Sequence, residues 1–299
     1  MKVLRCFDPL NLLFGAVLTF LLLPLIVVIP VSFSPSSVLQ FPPTRLSWRW
    51  YEDFFGDDRW VNAAWLSIRV GLAVAIVSTL IGMLAAVALT RFVTLGKGLM
   101  RSLVLSPLIV PLIITSVGIY YVMSELAMNS TFQGILLGHT VLALPYSVII
   151  IESALRGYDV TLDEAAVSLG ASRVLTFRKI TMPIILPSIL ASATFAFITS
   201  WDEILLVTFL GGPRAQTLPL RMFEFLTTQI RPTIAAISSM LIVTLVGLML
   251  LYRLLRWQRA LWRERSRVGD ALRWECGAPP APAILPGVHE GKPTEGGMP

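Results

Sequence analysis

Apolar runs of about 20 residues or more, nearly free of charge, recur along this chain and confine it to very few folds. A bilayer's hydrocarbon core is about 30 Å thick, which an α-helix crosses in roughly 20 residues at 1.5 Å per residue. Within hydrocarbon a backbone must satisfy its own amide and carbonyl groups, so such runs fold as helices. Composition agrees, with 55% of the 299 residues hydrophobic and 14% charged, against about 25% charged in soluble domains. The charges also fall between the apolar runs. The expected fold class is therefore an all-α integral membrane protein.

Six spans are expected, at about Leu10–Val31, Ala63–Leu89, Leu103–Met123, Thr131–Leu155, Pro183–Leu210 and Thr233–Leu255. The first follows Lys2 and Arg5, as a signal peptide would. Its apolar run is longer than a signal's core and lacks a clean small-residue cleavage site, which favours an uncleaved helix. Between the first two spans lies an external segment with Pro35, Pro42 and Pro43, then Trp48, Trp50, Tyr51, Trp60 and Trp65. Aromatics at that density suit the headgroup layer. Pro107, Pro111 and Pro145 are expected to kink or interrupt helices.

Lys and Arg near span ends favour the cytoplasmic side. With the N-terminus inside, internal segments hold seventeen of the 24 basic residues. Six lie outside, Arg221 among them, and Arg69 falls within the second span. Both termini are thus expected in the cytoplasm. The same distribution explains a pI near 9.7 without nucleic acid. Residues 1–265 read as one membrane domain, and 266–299, ending in a Pro- and Gly-rich stretch, as a disordered cytoplasmic tail.

Enzyme chemistry finds no support. Cys6 and Cys276 lie near opposite ends, His139 and His289 are isolated, and no cluster has metal-ligand spacing. No cofactor or metal is expected. His139 reads first as a helix-packing residue, and Glu152 as the partner of Arg156 one turn on.

The loop between the fourth and fifth spans is the most informative segment. Tyr158–Lys179 reads as two short helices, Leu162–Leu169 and Ser172–Lys179, broken at Gly170. Thr161 and Ser172 are expected caps, Asp163 and Glu164 complement the first helix's dipole, and Gly170 suits a left-handed helix end. Leu162, Ala165, Ala166 and Leu169 share one face. Physics leaves two readings open: a connector lying on the membrane, or a helix pair that docks into another protein.

Glu164-Ala165-Ala166, three residues, Gly170, nine residues, then Ile180-Thr181-Met182-Pro183 resembles the signature loop of ABC-importer permeases. Met182 departs from that family's leucine. The resemblance implies that the first short helix is a coupling helix seated in a cytoplasmic ATPase subunit, with Asp163, Glu164, Ala165, Ala166, Gly170 and Ala171 the coupling residues. This chain has no G-x-x-x-x-G-K-[ST] element, so hydrolysis belongs to a separate protein. The implied complex has a second permease subunit, two ATPase subunits and an external solute-binding protein, in a bacterial inner membrane.

Over about Trp50–Tyr252 the chain is most similar to the second permease of spermidine/putrescine-type importers. The matching stretches are Gly82–Leu89, Ser106–Pro111, His139 with Pro145-Tyr146, Trp201-Asp202-Glu203, Gly211-Gly212-Pro213 and Thr217–Leu220. That similarity makes Trp201, Asp202 and Glu203 substrate-path candidates, since intramembrane acids are functional by default and carboxylates with aromatic faces suit ammonium groups. Adjacent acids diverge by about 100° on a helix, so one of the two is expected to face a cavity. Two readings stay open, a path for a small cation and a buried pairing that fixes packing. Permeases for ferric iron, thiamine, sulfate and molybdate share parts of the pattern, so the same machine importing another solute (ferric iron, thiamine or an opine-like compound) stays open, and a secondary transporter or channel is the weaker alternative. The segment from Gly211 to Pro232 is expected to form a short helix at the outer mouth, where Arg221 and Glu224 meet the solute-binding protein.

Overall fold

A computed structural model describes residues 9–92, 95–212, 215–228 and 231–275. Pro213 of the expected external motif and residues 276–299 of the expected tail lie outside the described residues. The chain divides into two compact units, Met1–Ser239 and Met240–Pro299.

All described regular structure is helical. In chain order the helices are α1 (Pro9–Ser32), α2 (Arg49–Gly56), α3 (Asp58–Val87, ending in a π turn at Ala88–Phe92), α4 (Lys97–Ile109), α5 (Leu112–Glu125) and α6 (Phe132–Arg156). They continue with α7 (Thr161–Ser168), α8 (Arg173–Thr176, joined by a π turn at Phe177–Thr181 to the next), α9 (Met182–Asp202), α10 (Leu205–Leu210), α11 (Leu218–Thr228) and α12 (Thr233–Glu275). Among the described residues, five helical stretches are long and apolar enough to cross a membrane, and the pair α4 and α5 supplies a sixth if counted together.

Two expected spans are broken. α4 and α5 meet at 106° rather than forming one straight helix over 103–123. Proline disfavours the helical conformation in the residue before it and cannot donate a backbone hydrogen bond. Val110 accordingly sits in extended backbone (φ −75°, ψ 134°), and Pro111 opens α5. The expected fifth span ends at Asp202, because Glu203 turns extended (ψ 112°) and a separate short helix, α10, follows. The expected second loop helix, Ser172–Lys179, is instead the start of a continuous helical run, Arg173–Asp202. α12 continues through Glu275, past the expected end of the membrane domain at residue 265.

The core of the first unit is a packed triad of α3, α6 and α9. Small residues let the backbones approach, as membrane helices require when hydrophobicity cannot drive their association. A Cβ on Gly82 of α3 would lie 2.5 Å from the Ser147 Cβ of α6, and Ser78 Oγ and Ser147 Oγ are 2.9 Å apart. His139 Nδ1 lies 2.8 Å from Ser200 Oγ, joining α6 to α9. Val70, Val74, Leu142, Ala143, Ala196, Leu206 and Val207 fill the space between. α1 buries none of its apolar window, the outward surface that lipid accepts and water would not.

The aromatic segment departs from its expected headgroup role. Trp50 is buried and its Nε1 donates to the Ser34 carbonyl at 2.7 Å, while Trp60 is buried edge-on to Phe225. Trp48 and Trp65 stay exposed.

Candidate functional site

The loop between α6 and α9 is built from its caps. Asp159 begins α7 in place of Thr161, accepting from the Thr161 amide at 3.0 Å and the Thr161 hydroxyl at 2.7 Å. Those two bonds, the hydroxyl's first, hold the Asp159 carboxyl below the usual range. At the other end Gly170 has φ +90°. Its amide donates to the Val167 carbonyl, and the Ala171 amide to the Ala166 carbonyl at 3.0 Å, the paired bonds of a Schellman ending. Ser172 then caps α8 through the Leu175 amide.

Asp163 faces inward from α7. Its Oδ1 accepts from the Tyr158 hydroxyl at 2.7 Å and the Thr181 hydroxyl at 2.9 Å, and its Oδ2 pairs with Arg91 at 2.8 Å. Arg91 ends the α3 run, Tyr158 follows α6, and Thr181 precedes α9. One carboxylate, its side chain 14% exposed, thus ties α7 to all three core helices. Arg91 also lies over the rings of Tyr158 and Phe177, at 5.9 and 6.0 Å. Burial, followed by the bond donated to Asp163, pushes the Tyr158 hydroxyl above the usual phenol range.

Glu164, Ala165 and Gly170 are exposed, Ala166 and Ala171 half-buried. Around them Leu162, Val167 and Val174 are exposed, and Leu169 is 89% exposed. The outer side of this loop is therefore largely apolar and exposed, with the exposed Glu164 carboxylate beside it.

A second candidate region surrounds the break after α9. A concavity of about 680 Å3 is lined by Leu112, Tyr146, Phe195, Ile198, Thr199, Asp202, Glu203, Ile204, Leu205, Thr208 and Phe223. Asp202 is exposed there, while Glu203 is buried and its Oε1 accepts from the Leu206 amide at 2.9 Å. The two acids have separate roles: Glu203 begins α10, and Asp202 presents a carboxylate to the concavity. Trp201 is not among the lining residues; it stacks on Phe197 at 5.8 Å. Tyr146, Phe195 and Phe223 supply the aromatic faces instead. Phe195 and Phe223 carry no signal that sequence reasoning could have used, because they belong to distant elements with no shared motif.

Glu152 is 2% exposed and bonds Arg156, as its spacing suggests, but it also meets Arg101 of α4 at 3.4 Å. The Arg101 Nε makes no aligned hydrogen bond, so that approach is a charge contact. Among the described residues, no three His, Cys, Asp or Glu side chains converge as a metal site needs.

The family described as "Binding-protein-dependent transport system inner membrane component" matches residues 78–260. The chain is 30% identical over 245 residues to the spermidine/putrescine transport system permease protein PotC of Haemophilus influenzae, covering 82% of this chain and 95% of that protein. It is 31% identical over 264 residues to the putrescine transport system permease protein PotI of Escherichia coli (strain K12), covering 85% and 92%. In fold it is similar to a chain in the crystal structure of a bacterial ABC transporter involved in importing the acidic polysaccharide alginate. The TM-score is 0.62 at 16% identity, over 86% of this chain and 97% of that one.

Proposed function

The chain belongs to the family of binding-protein-dependent transport system inner membrane components, and from that premise we propose that it forms half of the translocation path for a polyamine in an ATP-driven importer. It is a multi-pass inner-membrane transport subunit and not an enzyme. A second permease subunit completes the path, two ATPase subunits act on the cytoplasmic side, and a solute-binding protein delivers cargo from outside. Both termini are cytoplasmic, which places the α6–α9 loop where ATP is available.

The observation that carries the reading is the Asp163 clamp behind an uncovered α7. An ATPase that moves α7 pulls through Asp163 on Arg91, Tyr158 and Thr181, and hence on α3, α6 and α9 together. Glu164, Ala165 and Ala166 form the docking face. Gly170 and Ala171 fix the angle at which α7 leaves it.

Asp202 in an aromatic-lined concavity supports a cationic cargo. A carboxylate with aromatic faces attracts an ammonium group by charge and by the ring quadrupole. The two relatives named above are permeases of spermidine/putrescine and putrescine systems. The test is ATP-dependent uptake of labelled putrescine and spermidine into vesicles holding the complex. Asp202→Asn should lower uptake at least tenfold while ATP hydrolysis persists. If neither amine is transported although the ATPase responds to the binding protein, the cargo assignment fails and the machine stands.

A further inference from the structure

Two adjacent residues of α6 hold the two sides of the break after α9. Gly138 makes room for α10: a Cβ there would lie 2.8 Å from Leu206 Cδ2 and 3.1 Å from Leu210 Cδ1. His139 is buried, and its Nδ1 lies 2.8 Å from the Ser200 hydroxyl in the last turn of α9. Its Nε2 is buried with no hydrogen-bond partner among the described residues. An apolar side chain of similar size would fill this space without burying an unpaired nitrogen. What it would lack is the bond to Ser200.

Along α9 the side chains divide between two faces. Phe195, Ile198, Thr199 and Asp202 line the concavity, whereas Ser192, Ala196 and Ser200 are buried. At 100° per residue, Ser200 and Asp202 point about 200° apart, so a bond that turns Ser200 inward turns Asp202 outward. The last turn needs such a hold, because no further turn of helix follows to fix it. Glu203 is extended (φ −78°, ψ 112°), and its carboxylate is committed to the Leu206 amide. We propose that His139 is a positioning residue for the cargo site: through Ser200 it sets the rotation of the α9 end and aims the Asp202 carboxylate into the concavity. The inference rests on the reading of Asp202 as the group that meets a cationic cargo. A carboxylate held in place before the cargo arrives loses less freedom on binding it than one that must be ordered then.

The test reads labelled putrescine carried per ATP hydrolysed, in vesicles holding the whole complex and supplied with its solute-binding protein. His139→Leu and Ser200→Ala should each lower that ratio about fivefold, the scale of one hydrogen bond. The two together should lower it no more than either alone. His139→Asn, which keeps a polar atom near the place of Nδ1, should return to within about twofold of wild type. On an Asp202→Asn background His139→Leu should add nothing, since both act through one carboxylate. A ratio unchanged in both His139→Leu and Ser200→Ala overturns the proposal. Equal losses in the leucine and asparagine variants would make His139 a packing residue and also overturn it, as would a further loss on the Asp202→Asn background. Should His139→Leu fail to assemble, Ser200→Ala with and without Asp202→Asn decides, because it removes a single oxygen. If the wild type carries neither putrescine nor spermidine, or Asp202→Asn leaves the ratio intact, the cargo reading itself fails and this inference falls with it.

Discussion

Two carboxylates that look alike in sequence, Asp202 and Glu203, do different work because the backbone turns between them. Glu203 accepts from the Leu206 amide in the first turn of α10, a bond whose loss typically costs about 1 kcal/mol. Glu203→Ala should therefore lower the thermal stability of the purified complex by about that amount, while Glu203→Gln, which keeps an acceptor oxygen, should stay near wild type. Equal losses in the two variants would show that the charge, not the acceptor, matters. Asp163 and Arg91 form the other decisive contact at this scale. In a double-mutant cycle of Asp163→Asn and Arg91→Ala, thermal unfolding should return a coupling of about 1 kcal/mol. Strict additivity would mean that the pair contributes nothing.

α7 is fixed at its N-terminal end by groups that do not change charge near neutrality. The Asp159 carboxyl is held low by Thr161, so its stabilisation is present above the unfolded value of about 3.9 and is lost only as pH falls through the folded one. The Tyr158 hydroxyl is held high by burial and Asp163, so its share is present below about 10 and is lost only as pH rises through the folded value. Hydrogen exchange of residues 158–182, corrected for intrinsic rates, should thus give the same protection from about pH 5.5 to 9. A step within that window would place another titrating group in the clamp. The α4–α5 bend belongs to the same scale: Pro111 was legible as an interruption, but a 106° turn also needs the neighbours that receive α5, and those come from other parts of the chain.

For the whole molecule, the importer reading requires the α7 face to be cytoplasmic and covered by a partner. With Cys6 and Cys276 replaced by serine, a single cysteine at Leu169, 89% exposed in the isolated chain, reports both. A membrane-impermeant thiol reagent should leave it unlabelled in intact cells and label it in inside-out vesicles stripped of ATPase subunits. Restoring those subunits should protect it again. Labelling in intact cells would reverse the topology, and labelling unaffected by the ATPase would remove α7 from the interface.

The class of the protein and the place of the helical loop between α6 and α9 were legible in the sequence. Both are written in contiguous signals: apolar length fixes a membrane helix, and Glu164-Ala165-Ala166 with Gly170 fixes a short helix and its left-handed end. Tertiary structure alone decided what those residues touch. Trp50 and Trp60 read as headgroup aromatics yet are buried, and Trp201 reads as a path residue yet stacks on Phe197. Asp163 reads as a dipole partner yet gathers Arg91, Tyr158 and Thr181, from positions spread over ninety residues. The concavity at Asp202 is likewise assembled from distant segments. Local pattern encodes an element because its forces act within a few turns, whereas a site depends on which faces meet, and that is settled only when the helices pack.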